Sequence, residues 1–249
     1  MDSNLQAQAE DFARELNDLL KKTFKGRQPQ FRAIADSKSG RVSINSCIDR
    51  DGEQIVEPIS VSLIGRRGIP KVLFDIEFEC QWSSEFNFLA VQESSIELRL
   101  DGTRNPLFRY DFDKHKKGEN PSAYLHVHAH RDEIAWLMIQ GNGAKPRERK
   151  KRGAMPVLSS IHFPLGGERF RPCVEDVLQF CIHEFGLEVK ATSRHALETG
   201  RVQWRNKQLK AAISDSPLIA VAALREYGWV VEPGPEAQQS PRETKTRKL

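Results

Sequence analysis

The sequence lacks the features that identify secreted, membrane-spanning or zinc-ribbon proteins. Only four of its 249 residues are cysteine, and because none forms a CxxC pair, a zinc ribbon is not expected. The N-terminus has neither the basic nor the apolar segment of a signal peptide. No apolar run approaches the roughly 20 residues that a membrane-spanning helix needs. We therefore expect reduced thiols, a cytoplasmic location and no membrane partner.

Motifs that identify nucleotide-dependent or hydrolytic enzymes are missing as well. The sequence contains no Walker A motif, no GxGxxG, no GxSxG and no HExxH. It therefore specifies no cofactor. The formal net charge of +4 is mildly basic and does not by itself indicate nucleic acid, but the positive charge is concentrated in two runs.

Hydrophobic periodicity predicts one main α+β domain. Residues 4–24 show the three- and four-residue spacing of an amphipathic helix, carried by Leu5, Ala9, Phe12, Leu16, Leu19, Leu20 and Phe24. From residue 31 to 112 the period is two, with turns at Ser39-Gly40 and Asp51-Gly52. This alternation predicts an antiparallel sheet of about six to eight strands, which the segment SAYLHVHAH continues.

Helices dominate the rest of the chain. Residues 173–187 carry one apolar stripe and predict a helix that covers the sheet. Further helices are predicted at 194–212 and 216–227, and residues 141–156 are predicted to be a loop because they combine glycine, proline and dense basic charge. We expect an α+β domain over 1–190, a helical extension over 191–232 and a disordered basic tail over 233–249.

Three histidines alternate in the segment YLHVHAHRDE, residues 124–133. A strand rises about 3.3 Å per residue, so His126, His128 and His130 would be spaced by about 6.6 Å along one face. Two such rings can converge on a metal, but a zinc site needs a further ligand from elsewhere. The candidates for it are His115, His162, Asp111, Asp113 and Asp132. HAHRDE also resembles the HxHxDH signature of metallo-β-lactamase-fold hydrolases, with Glu133 where that signature has histidine.

A metal-free site is the second interpretation of this strand. Neutral histidines near pH 7 act as general acids and bases, the two roles that ribonuclease-type transesterification needs. The residues that would form this catalytic set are His126, His128, His130, Asp111, Tyr110 and His115. A polar face without catalysis is the third interpretation.

The order of segments in about residues 105–187 resembles the TumE family of toxin–antitoxin toxins. LFRYDFDKHKKGENPSAYLHVHAH is followed by HFPLGGERFRPCVEDVLQFCI, where that family has a YRYD-like strand, a histidine-rich segment and an LEDVL-like helix. The matching positions are Arg109, Tyr110, Asp111, His115, His126, His128, Glu175 and Asp176. The adjacent Pro-His-His of the family is replaced here by AYLHVH. The resemblance implies an α+β fold, an RNA-directed or growth-regulating role and an antitoxin-like protein partner.

The C-terminal basic run RETKTRKL and a basic helix face with Arg201, Arg205, Lys207 and Lys210 around Trp204 are compatible with nucleic-acid binding. Two further segments are candidates because they can neutralise phosphates. The first is KPRERKKR, with Lys145, Arg147, Arg149, Lys150, Lys151 and Arg152. The second is PLGGERFRP, with Arg169 and Arg171 just before a predicted helix whose N-terminus could hold an anion.

Three functional classes follow from these features. The first is a toxin- or defence-type protein that binds or cleaves nucleic acid, with RNA favoured. The second is a non-catalytic binding or scaffolding protein of a prophage or mobile element. The third is a metal-dependent hydrolase.

Overall fold

The structure is a computed structural model that describes residues 3–36, 39–65, 71–83, 88–115, 122–128, 132–141, 144–153 and 171–235. The helices in these ranges are α1 (Ser3–Thr23), α2 (Asp132–Gln140), α3 (Ala144–Arg152), α4 (Val174–Phe185), α5 (Ser193–Asp215) and α6 (Pro217–Glu226). The strands are β1 (Gln30–Asp36), β2 (Arg41–Arg50), β3 (Glu53–Val56), β4 (Ile59–Ser62), β5 (Lys71–Ser83), β6 (Phe88–Leu100), β7 (Phe108–Asp113) and β8 (Ala123–Val127).

The eight strands form one antiparallel sheet in the order β1-β2-β5-β6-β7-β8, with β3 paired to β2 and β4 paired to β5. Glycines with positive φ lie at the turns that join the early strands, at Gly40 and Gly52, where the sequence predicts hairpins. The sheet, the N-terminal helix and the C-terminal helices confirm the predicted α+β class.

One face of the sheet is covered by α1. All seven apolar residues that predict this helix are buried, because their spacing puts them on one side. Phe12 packs edge-on against Phe78 of β5 with 5.0 Å between ring centroids, and Phe24 stacks on Phe74. The side chain of Asn17 bonds both backbone polar groups of Phe31, which holds α1 against the start of β1.

The predicted covering helix is α4. Its Phe180 contacts Phe108 of β7 with 5.6 Å between ring centroids, and Cys181 is fully buried. Gly186 ends the helix in the left-handed conformation, with φ of 70°, as glycine permits. Next in the chain, α5 packs on α1, where Trp204 stacks on Phe12.

Two helices differ from the sequence-based expectations. The loop predicted over 141–156 is wrong for residues 144–152, which form α3, because arginine, lysine and glutamate are good helix formers and α3 packs against α4. Helix α2 was not predicted from the sequence, although this helix buries Ile134, Leu137 and Met138. Their three- and four-residue spacing was an available signal. None of the described helices is both long and apolar enough to cross a membrane.

Candidate anion-binding site

His126 lies on β8, which ends at Val127, and His128 lies just beyond the strand. The one pairing partner of β8 among the described strands is β7. His126 is opposite Arg109, and its ring centroid is 5.0 Å from that of Tyr124. His126 and His128 are both exposed. His130 lies outside the described residues. The described part of this segment is therefore an exposed polar surface at one end of the strand order.

The other residues of the predicted catalytic set do not lie together. Asp111 and Tyr110 are on opposite faces of β7, and His115 is in the turn that follows the strand. Both carboxylate oxygens of Asp111 accept hydrogen bonds, one of them from Arg109 Nε at 2.8 Å. Tyr110 lies on the opposite face of β7 and is buried, because alternate strand residues point to opposite faces. His115 follows β7, with its Nε2 3.0 Å from Oε1 of Gln92. Asp111 is thus already engaged, and Tyr110 does not share its face.

No group of three or more histidine, cysteine, aspartate or glutamate side chains that could hold a metal ion occurs among the described residues. His162, one of the predicted ligands, lies outside them. The described residues therefore give no support for a metal site.

Two cations of the basic run on α3 bind other parts of the protein. Arg149 forms an ion pair with Glu184 of α4 in which the side chains are 11% and 4% exposed, and it donates to the backbone oxygen of Glu184 at 2.9 Å. Lys150 Nζ lies 3.1 Å from the backbone oxygen of Gly141, just beyond α2. These two side chains hold helix ends together, and their role in phosphate binding stays a prediction.

The structure describes the side chains of only some of the remaining basic candidates. Arg147 and Lys151 are exposed on α3. The side chains of Lys145 and Arg152, and the whole of Arg169, lie outside the described residues. Their role in nucleic-acid binding stays a prediction.

Arg171 is the basic candidate that the structure places in a cavity. Its guanidinium carbon lies 4.1 Å from the ring centroid of Phe112 and 5.2 Å from that of Trp204. Nη1 donates to Oε1 of Gln208 at 3.2 Å, and the guanidinium makes no other hydrogen bond or ion pair with the described residues. A guanidinium has five N–H donors, and hydrogen bonds to the described residues use one of them.

The charge of Arg171 makes this arrangement costly without an anion. Burial lowers the pKa of Arg171 to about 10, so the side chain is still a cation at neutral pH. Arg171 is partly buried, and a cation partly withdrawn from water is destabilising unless an opposite charge or hydrogen bonds compensate it. The aromatic rings offset part of this cost through cation–π attraction, and a bound anion would offset more.

Two cavities of about 260 and 230 Å³ adjoin Arg171. The first lies between α1, α5 and the start of α4, and the second lies against β7 and β8. Both are lined by Ser94, Ile96, Arg171 and Pro172. Trp204 lines the first cavity and Tyr110 the second. Trp204 Nε1 and the Tyr110 hydroxyl are buried without a hydrogen-bond partner among the described residues.

The first turn of α4 forms another part of the wall. Burial raises the pKa of Glu175, so this carboxyl holds its proton to higher pH than an exposed glutamate and can then donate a hydrogen bond. Gly200 of α5 leaves room for it, because a Cβ there would lie 2.4 Å from Glu175 Oε1. Asp176 is turned to α5 instead, where it accepts from Arg201 Nε at 2.7 Å.

Sequence reasoning identified Arg171 but missed Phe112, Gln208 and Glu175 as its surroundings. No local motif joins these residues, because they come from β7, α4 and α5. The available signal was the basic pair before a helix, which indicates an anion but not the walls of its site.

The sheet face opposite the core is acidic. Asp75 of β5 lies opposite Glu97, and Glu79 lies opposite Glu93. Like charges that face each other across an antiparallel pair are destabilising. Burial, and then the charges of Glu79 and Asp75, raise the pKa of Glu77 between them.

We expect Glu77→Gln to raise the free energy of unfolding at pH 7. A carboxyl whose pKa is raised by folding contributes stability that is fully present below its unfolded pKa, about 4.3, and lost as pH rises through the folded pKa. The neutral amide of Glu77→Gln does not lose stability as pH rises. The difference in free energy of unfolding between the variant and the unaltered protein should therefore vanish as pH falls to about 4. Urea unfolding at pH 7 and at about pH 4 measures the free energy of unfolding of both proteins. Glu53→Gln, an exposed carboxyl on β3, is the control that should change neither value; a loss of stability at pH 7 would contradict the prediction.

No protein-family model matches the chain, and neither a curated protein nor a solved structure matches it significantly.

Proposed function

We propose that this protein binds a nucleotide phosphate in the cavity at Arg171, either as a free nucleotide or as one unit of an RNA strand, with RNA favoured. The observation that carries the proposal is the guanidinium of Arg171. Two aromatic rings hold it in place, one neutral side chain bonds it, and no carboxylate among the described residues pairs with it.

The chemistry of the cavity supports a phosphate on a larger ligand. A fixed guanidinium binds phosphate oxygens through parallel N–H donors, which gives both strength and orientation. Inorganic phosphate alone would occupy only part of the first cavity, whose volume is about 260 Å³. Its wall also carries Thr199, Gln203 and His195, which are hydrogen-bonding groups of the kind that would bind a base or a ribose.

Two observations favour RNA as the source of the phosphate. Lys22 lines the same cavity, whereas Lys207 is paired there with Glu15, and Asp18 also lies in the wall. Arg147 and Lys151 are exposed on α3, and these two cations and Lys22 can neutralise further phosphates of a strand. The resemblance to the TumE family implies an RNA-directed role as well. The proposal does not require cleavage, because Asp111 is already hydrogen-bonded and Tyr110 lies on the other face of β7.

We expect Arg171→Gln to weaken ligand binding by roughly 10- to 100-fold, because a hydrogen bond to a charged group contributes about 1.5–3 kcal/mol. Equilibrium titrations would use three probes in parallel: orthophosphate, a mixture of the four ribonucleoside monophosphates, and a short single-stranded oligoribonucleotide. Arg171→Lys keeps the charge but not the planar donor fork, so it should bind with intermediate affinity.

The matched control is Arg104→Gln, which removes an exposed arginine between β6 and β7 and should bind as tightly as the unaltered protein. A melting transition for each variant verifies folding. Tighter binding of the oligoribonucleotide than of the monophosphates identifies RNA, and the reverse order identifies a free nucleotide. Binding that is equal in Arg171→Gln and Arg104→Gln, or no binding of any probe by the unaltered protein, would overturn the proposal.

A further inference from the structure

The C-terminal helix α6 is apolar, yet no residue of it is buried by the described chain. Its exposed side chains include Leu218 at 50%, Ile219 at 68% and Leu224 at 44%. The residues that follow continue the surface, with Tyr227 at 85% and Trp229 at 67% exposed. A helix of this length is marginal in water unless another surface supports it.

The preceding helix α5 also exposes apolar side chains. The helix has an inward stripe that includes Ala196, Leu197 and Trp204, which packs toward α1. On another side, at spacings of seven and four, lie Val202, Leu209 and Ile213, which are 58%, 46% and 46% exposed. Residues at this spacing fall on one helix face.

We call the exposed apolar side chains of α5, of α6 and of the residues after α6 the C-terminal apolar surface. Its members are Val202, Leu209, Ile213, Leu218, Ile219, Leu224, Tyr227, Trp229 and Val230. A fully buried aromatic side chain removes about 150–250 Å² from water. With seven aliphatic side chains besides, the surface offers on the order of 800 Å², the area that each partner contributes to a standard stable interface. A typical monomer exposes no patch beyond about 300–600 Å².

We propose that the C-terminal apolar surface is the interface with a second copy of this chain. A two-fold interface brings the same patch of both subunits together, so the patch must not repel itself. Residues 202–230 carry four cations and two anions. Two of the cations, Arg205 and Lys207, are paired with Asp176 and Glu15. The other charged residues, Lys210, Arg225, Asp215 and Glu226, are two of each sign, and this balance suits self-association. An anionic lipid surface would instead favour an excess of lysine and arginine on the polar side.

We expect the full chain to sediment at twice its monomer mass of 28.4 kDa at tens of micromolar. Leu218→Glu/Ile219→Glu should shift the protein to monomer, because four carboxylates would face one another across the two-fold axis. Both side chains are exposed in the single chain, so the melting transition of the isolated subunit should be retained.

The matched control is Ile55→Glu/Val56→Glu, which changes two neighbouring apolar side chains on β3 that are 40% and 60% exposed, and it should remain a dimer. A wild-type monomer over the whole concentration range would overturn the proposal. A dimer that persists in Leu218→Glu/Ile219→Glu would overturn it too, since the interface would then lie elsewhere. Cosedimentation of a monomeric wild type with anionic lipid vesicles would assign the surface to a membrane instead.

Discussion

Arg149→Met should lower the free energy of unfolding by about 3–5 kcal/mol, which is typical when one partner of a buried ion pair is removed. The substitution leaves the carboxylate of Glu184 only 4% exposed and without its cation. It also removes the donor to the backbone oxygen of Glu184 near the end of α4. Chemical unfolding followed by circular dichroism measures the loss.

A double variant separates the missing charge from the missing packing. In Arg149→Met/Glu184→Leu neither charge remains, and we expect most of the lost stability to return, because apolar pairs of similar volume often replace buried ion pairs without a net cost. The control is Arg194→Met, which removes the cation of a surface pair whose side chains are 88% and 50% exposed. Such pairs contribute little, so the control should unfold as the unaltered protein does. A loss below about 1 kcal/mol for Arg149→Met would show instead that the pair behaves like a surface pair.

Asp176→Ala is the second large expected effect, again about 3–5 kcal/mol, because it leaves a largely buried guanidinium without its carboxylate. Asp176 accepts from Arg201 Nε at 2.7 Å, and the side chain of that arginine is 17% exposed. It also accepts from the backbone N–H of Cys173 at 3.3 Å, which satisfies one donor at the start of α4. One side chain therefore holds the beginning of α4 and joins α4 to α5.

The isosteric variant Asp176→Asn identifies the part that charge contributes. It keeps one oxygen acceptor and most of the packing, so its loss of stability should be smaller than that of Asp176→Ala. Glu188→Ala is the matched control: it removes a carboxylate from the exposed pair with Lys25, whose side chains are 41% and 58% exposed, and should cost little. Equal losses for Asp176→Asn and Asp176→Ala would assign the whole effect to charge, whereas no loss in either would contradict the role of Asp176.

Local pattern was enough for much of the fold. The apolar spacing of residues 4–24 predicts α1 and its buried face, because a period near 3.6 specifies one side of a helix whatever it packs on. The alternation in FDIEFECQW predicts β5 with Phe74, Ile76 and Phe78 inward, because a strand has only two faces. The local pattern did not predict α3, because its dense charge indicated a loop. The helix is supported by its contacts with α4, which the local pattern does not show.

The candidate site depended far less on local pattern. The sequence places a basic pair before a helix, and from that alone an anion can be expected at Arg171. The sequence also has alternating histidines, of which the structure leaves His126 and His128 exposed at the edge of the sheet. Whether a cation binds a ligand or another part of the protein is settled by its neighbours in space. Arg149 meets Glu184, whereas Arg171 meets two aromatic rings and no carboxylate among the described residues.

The sequence by itself determined the α+β class, the inward faces of α1 and β5 and the ends of α4, because each depends on periodicity or on a residue such as Gly186 with a special backbone conformation. The tertiary structure alone decided which charges are paired, which cavities remain beside Arg171, and that the apolar side chains of α6 stay uncovered. Those properties arise from contacts between residues far apart in the chain, and such contacts leave no periodic signal in the sequence.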